Sequence, residues 1–286
     1  MPDEIRTVYY DASLQVEAYR FVGVKQKFPP HFHDYYVIGF IEGGQRYLEC
    51  RQREYIINPG DIIIFNPRDV HACEQVDGRA LDYRCINIQS KRMMEIAQEI
   101  TGRSYLPAFA QTVLYQSELA PSLRELHAMI CEGESDFIKE EQFFLLMGQL
   151  IHEYTDVSAC EAYDGGAGFQ DVCDYMETNF AGAISLDDLS ALAGLSKYHF
   201  LRSFTRERGI SPYSYLETVR IGHAKKLLEQ GMPPADTALL TGFSDQSHFS
   251  NFFKRFIGLT PRQYMRIFGN ERQMEPVLPT KGAKGV

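Results

Sequence analysis

The sequence predicts an α+β protein of two domains: an N-terminal β-barrel with accessory helices, followed by an all-α domain built from one helical unit used twice. Three observations carry this. Short runs rich in Val, Ile, Tyr and Phe crowd the first 88 residues, the apolar spacing turns helical from Lys91 onward, and a glycine-rich stretch separates the barrel and its helices from a second helical region. The 286 residues, 44% hydrophobic and 23% charged, leave room for two cores and exclude a disordered or fibrous chain.

The strand-like runs are VYYD, YRFVGV, HDYYVIGFI, RYLECR, EYIIN, DIIIFNP and YRCINI, several of them separated by Gly or Pro. Many short strands at such spacing predict a barrel or sandwich. Two amphipathic helices follow. Leu119, Leu123, Leu126 and Ile130 form one apolar stripe, and Phe143, Leu146, Met147, Leu150, Ile151 and Tyr154 form another. These stripes suit either the barrel face or a second copy of the chain, so a homodimer is expected without being separable from simple packing. The segment SACEAYDGGAG, 158–168, has linker composition. The expected division is therefore 1–157, a linker 158–168, a helical domain 169–270 and a disordered tail 271–286.

Beyond the linker the helix signals are dense. Ser185 and Asp188 make a capping box ahead of Leu186, Leu189 and Leu192, and Gly194 closes that helix. A helix from about Ser196 to Arg208 stops at Gly209. Ser211-Pro212 and Thr260-Pro261 each set a hydroxyl N-cap before a proline at the first helical position. Helix, glycine-containing turn and helix, from Leu186 to Arg208, is the layout of a helix-turn-helix. It returns as Asp236 to Thr241, Gly242-Phe243-Ser244, and a helix from about Asp245 to Phe256. ALAGLSKYHFLRSFTRERGISPYSYL and ALLTGFSDQSHFSNFFKRFIGLTPRQYM are weak internal repeats.

Over about residues 168–268 the chain resembles the AraC/XylS family of transcription regulators, above all in TGFSDQSHFSNFFKRFIGLTPRQY. The resemblance implies seven helices in which two helix-turn-helix modules, joined by one long helix, enter successive major grooves of promoter DNA, and a regulator that works with RNA polymerase, commonly as an activator. It places Lys197, Tyr198, Leu201 and Arg202, then Asp245, Gln246, Ser247 and Asn251, toward the bases, with Arg206, Lys254 and Arg255 on phosphates. Gln and Asn suit adenine edges and Arg suits guanine, whereas the charge of Asp245 opposes phosphate. Phe200, Phe204, Phe249, Phe253 and Phe256 are expected to point inward. The joining helix, Pro212 to Glu229, would be about 27 Å long at 1.5 Å per residue, which with the module thickness approaches one DNA turn.

The segments PPHFHDYYVIGFIEGG and NPGDIIIFNPRDVH resemble the two half-motifs of a cupin barrel over about residues 20–90. Read as one strand, His31 and His33 share a face with Tyr35 and Val37, and His71 joins them across the barrel. This gives an effector pocket of His31, His33, Tyr35, Val37 and His71, with Ile41 and the run Ile62 to Phe65 as further walls. The same three histidines are a candidate divalent metal site, zinc being the natural occupant. The glutamate that metal-binding cupins add falls at Val37, which weighs against the alternative of a metal-dependent cupin enzyme.

Charge and targeting agree with a cytoplasmic regulator rather than a membrane protein. Residues 168–286 hold 14 Lys+Arg and 12 Asp+Glu, a balance of +2, and 29 − 14 = 15 against 38 − 12 = 26 leaves −11 for residues 1–167. All the net acidity thus lies outside the DNA-binding region, although +2 is low for a DNA binder. No run approaches the roughly 18 apolar residues of a membrane span, and the start lacks a basic, then apolar leader. The six cysteines form no CxxC pair and are expected to be reduced thiols.

Overall fold

A computed structural model of the chain describes residues 4–76, 78–133, 136–155, 169–195 and 197–269, without the side chains of 136, 137, 197–199 and 269. The expected linker and tail lie outside the described residues. The N-terminal part contains β1 (Ile5–Asp11), β2 (Val16–Val24), β3 (Phe28–His31), β4 (Tyr35–Gly43), β5 (Arg46–Cys50), β6 (Arg53–Ile57), β7 (Ile62–Phe65), β8 (His71–Gln75), β9 (Leu81–Gln89) and β10 (Val113–Leu114). Helices α1 (Ser90–Thr101), α2 (Ala120–Glu132) and α3 (Asp136–Tyr154) complete it. The strands form two antiparallel sheets, β1-β2-β9-β4-β7-β10 and β3-β8-β5-β6.

The period-2 pattern of the larger sheet divides the N-terminal core in two. Along β4, Tyr35, Val37 and Ile41 face the cavity between the sheets, while Tyr36, Ile38 and Phe40 face the helices. β7 corrects the expectation for Ile62 to Phe65: only Ile63 and Phe65 line the cavity, and Ile62 and Ile64 pack under the helices, because alternate residues of a strand point to opposite faces. Gly39 lies on the cavity face of β4, where a Cβ would come within 2.4 Å of the Tyr83 hydroxyl; only glycine admits that ring.

The two apolar stripes settle on the sheet. Leu123, Leu126 and Ile130 of α2 and Phe143, Leu146, Met147, Leu150 and Ile151 of α3 are buried against the larger sheet in one cluster. His127 joins them, its Nε2 2.9 Å from the Tyr19 carbonyl oxygen. Asp11 of β1 and Lys139 of α3 form a buried ion pair. Ile138 and Leu145 remain exposed on α3.

The C-terminal part has seven helices among the described residues: α4 (Gln170–Asn179), α5 (Leu186–Leu192), α6 (Lys197–Arg208), α7 (Pro212–Glu229), α8 (Pro234–Leu240), α9 (Gln246–Ile257) and α10 (Pro261–Gly269). Their ends follow the local signals. The Ser185–Asp188 capping box is formed, Ser211 accepts from the Ser214 backbone N–H, and Thr260 does the same for Gln263. Phe200 and Phe204 anchor the first module, and Phe249 and Phe253 the second, all fully buried.

Leu150 and Leu145 test the covering role of α3. Leu150→Ala should cost about 2–5 kcal/mol in urea unfolding, whereas exposed Leu145→Ala should stay within about 0.5 kcal/mol; equal effects would contradict the packing. His127 supplies a pH test. Burial lowers its pKa to about 4 from an ordinary value of 6.5, so between those values the unfolded chain binds the extra proton and stability falls as pH drops. Replacing His127 with Gln should remove that part of the slope between pH 6.5 and 4 and leave the profile above pH 7 unchanged.

Candidate functional site

The cavity between the sheets, about 100 Å³, is walled by apolar and aromatic side chains, including Phe21, Tyr35, Val37, Ile63, Phe65 and Tyr83, and by His31, His33 and His71. The three histidines converge, yet His31 and His33 do not share one strand as expected. His31 ends β3 in the smaller sheet, and His33 lies in the short turn that leads to β4 in the larger one. His71 opens β8 and pairs in register with His31. The ring centroids are 4.4 Å (His31–His71), 4.8 Å (His31–His33) and 5.1 Å (His33–His71) apart. Burial lowers the pKa of His31 to about 3, that of His71 to about 4 and that of His33 well below the usual range, so all three rings are neutral.

The roof of this cavity comes from the other domain. Phe256 and Ile257, the last turn of α9, line it, and the Phe256 ring stands edge-on to His31 at 5.4 Å. Backbone bonds seat the helix end: Arg6 Nη1 donates to the Gly258 carbonyl at 2.9 Å, and Gln26 Nε2 to that of Arg255 at 2.8 Å. Gly258 adopts φ +86°, and a Cβ there would come within 2.7 Å of the Phe21 ring. Beside the roof, the Lys225 ammonium of α7 is buried 2.6 Å from Glu17 of β2 and 4.2 Å from the centre of the Tyr35 ring. The Tyr264 hydroxyl lies 2.5 Å from a Glu17 oxygen and 2.8 Å from a Glu229 oxygen, with its single proton to donate to one or the other. Burial opposes the charge on Lys225, but Glu17 and its neighbours outweigh it and hold the pKa above the ordinary lysine value.

A second, larger cleft of about 650 Å³ separates the domains beside α6. Its walls mix apolar and charged side chains, and Arg68 crosses it with bonds to Glu177 at 2.6 Å and to the Tyr215 hydroxyl at 2.9 Å. There Gln52 Nε2 donates to the Arg206 carbonyl at 2.9 Å. The C-terminal turns of both reading helices are thus tied to the barrel.

Comparison with known proteins agrees with this architecture. Residues 13–147 match the AraC-like ligand binding domain, and residues 189–267 match a helix-turn-helix domain. An uncharacterized HTH-type transcriptional regulator of Bacillus subtilis (strain 168), YbfI, is 56% identical over 249 residues, which are 87% of this chain and 90% of that protein. The chain belongs to the AraC/XylS family of transcription regulators. A regulator of Staphylococcus aureus (strain COL) is 28% identical over 80% of this chain, spanning 31% of its own length. The crystal structure of ToxT from Vibrio cholerae O395 has the same two-domain fold, with a TM-score of 0.52 at 16% identity, covering 93% of this chain and 96% of that one.

In this regulator the positions expected to face bases or phosphates fall as follows. Leu201, Arg202 and Arg206 are exposed on α6, and Gln246, Ser247, Asn251, Lys254 and Arg255 on α9. The side chains of Lys197 and Tyr198 lie outside the described residues. Asp245 is a correction: its carboxylate is the N-cap of α9 and accepts from the His248 backbone N–H at 2.8 Å, so it starts the helix rather than reading a base.

Sequence reasoning missed Glu17, Lys225, Tyr264 and the roofing role of Phe256. Lys225 and Lys226 are neighbours in a basic pair, yet the first is buried and the second exposed; the only cue was the place of Lys225 on the apolar stripe with Ile221, Ala224 and Leu228. Replacing Lys225 with Met should leave Glu17 buried without its countercharge and cost about 3–5 kcal/mol in urea denaturation followed by circular dichroism. An unchanged midpoint would contradict a stabilising role for the buried pair.

Proposed function

We propose that this regulator binds promoter DNA sequence-specifically as a homodimer, acts as an activator that engages RNA polymerase, and is controlled by a small organic effector held in the barrel. The division of labour is effector binding and dimerisation in 1–157, a linker at 158–168 and DNA binding in 169–270. The observation that carries the reading is the roof. A ligand in the cavity touches Phe256 and Ile257, residues of the same helix that exposes Gln246 at its start and Asn251 in its middle. An occupant that prefers one seating of α9 changes the population of DNA-competent chains, which is what effector control requires.

Apolar walls with a few polar groups suit an apolar organic effector contacted by His31, His33, Tyr35, Val37 and His71. A ToxT structure bound to an unsaturated fatty acid, with a TM-score of 0.51 at 16% identity, supports the same class of ligand. No catalytic role is proposed. Val37 stands where a metal-dependent cupin enzyme would carry its carboxylate, and the relatives bear the names of transcription regulators.

On DNA, Lys197, Tyr198, Leu201 and Arg202 of α6 and Gln246, Ser247 and Asn251 of α9 are proposed to face the bases, with Arg206, Lys254 and Arg255 on phosphates. The test is binding to DNA from the region upstream of its own gene, at two salt concentrations. Arg202→Ala and Gln246→Ala should each cost about 1–3 kcal/mol and relax base preference at one position. Lys254→Ala should weaken binding to every sequence and reduce the salt slope by about one. Wild-type protein that shows no preference for its own upstream region over scrambled DNA would reject the reading.

A further inference from the structure

We propose that His31, His33 and His71 form a divalent transition-metal site whose remaining coordination position opens into the barrel cavity, so that an effector donor atom can bind the metal directly. Each histidine offers one ring nitrogen, and the three atoms lie within 4.8 Å of one another. Metal ligands 2.0–2.1 Å from zinc at tetrahedral angles are about 3.3–3.4 Å apart, so closure needs ring movements of about an ångström.

The surroundings of the rings are those of metal ligands. His31 Nδ1 lies 2.7 Å from the Pro29 carbonyl oxygen and His71 Nδ1 2.8 Å from that of Asp69. In both cases Nδ1–H donates to a carbonyl, which leaves Nε2 as the lone-pair nitrogen and fixes the plane of the ring. Stacking fixes the planes further: Phe65 lies on His71 at 3.9 Å and Tyr35 on His33 at 4.7 Å. Three neutral imidazoles select zinc, cobalt, nickel, copper or iron(II) over calcium or magnesium, which prefer oxygen.

Three protein ligands leave a position for water or an added donor. All three rings line the cavity, and no side-chain carboxylate or thiol joins their cluster among the described residues. The proposed ligand class is therefore an organic molecule bearing a carboxylate, phenolate or other anionic donor, its apolar part held by the barrel walls. The metal site rests on the geometry of the barrel alone; its use in regulation rests on the function proposed above.

The test uses the full chain without added histidines, stripped with a chelator and titrated with cobalt(II) and zinc. The expected result is one metal per chain with the strong visible absorption of tetrahedral cobalt, and a shift of those bands on adding azide. His33→Gln and His71→Gln should each weaken binding by at least the ~10–100-fold that outer-shell changes cost at metal sites. Uptake that is not stoichiometric, or that these variants leave intact, overturns the site; bands indifferent to azide overturn the open position. If the variants fail to fold, [15N]histidine-labelled wild type decides. Zinc should shift the Nε2 signals of three of the eight histidines, and a shift confined to other histidines, or none, overturns the proposal. Promoter binding by the stripped protein reports separately on the regulator reading.

Discussion

One side of the barrel mouth is closed by the DNA-binding domain, and the buried contact between Lys225 and Glu17 fixes where that closure sits. A lysine and a glutamate, both nearly excluded from water, must find each other or lose several kcal/mol of hydration. Their meeting sets α7 across β2, and α7 in turn carries the modules built around α6 and α9. Tyr264 satisfies the other Glu17 oxygen, so α10 is bound to the same point. The apolar contacts between Phe256, Ile257 and the cavity follow from this alignment.

The seating makes one cluster of buried side chains out of two domains: Val37 and Phe65 of the barrel share it with Phe249, Phe253 and Tyr264 of the second module. The first module has a separate core around Phe200, Phe204 and Met176, tied to the barrel by Phe32 and by the polar links of Arg68 and Gln52. The two modules are therefore held differently, one by apolar burial beside the effector cavity and the other mainly across a solvent-lined cleft. The cavity therefore borders α9 directly, whereas α6 adjoins α9's module through α7, which packs on both helices.

Glycine has a specific part in this arrangement. Gly258 ends α9 in the left-handed region and lets the turn approach Phe21 more closely than any side chain permits, while its carbonyl receives Arg6. The same residue that ends α9 brings the helix into contact with the barrel.

The helical domain was legible in the sequence because its signals are local: the capping box at Ser185, the Ser-Pro and Thr-Pro starts, and the spacing of Phe200 and Phe204 act within one or two turns, and the repeat of the unit doubled the signal. The two stripes of α2 and α3 and the cavity-facing parity of Tyr35 and Val37 were equally readable, since period alone decides which face is apolar. The vehicle of the histidine cluster was not. His31 and His33 look like neighbours on a strand, but the chain changes sheets between them, and sheet assignment depends on pairing with β8 and β9, far away in the sequence. Nor could the sequence tell Lys225 from Lys226, Asp245 as a cap from Asp245 as a reader, or Phe256 as core from Phe256 as roof. The places of Lys225 and Phe256 depend on which surface of another domain arrives opposite, and that is decided by packing between segments more than two hundred residues apart, not by any local preference.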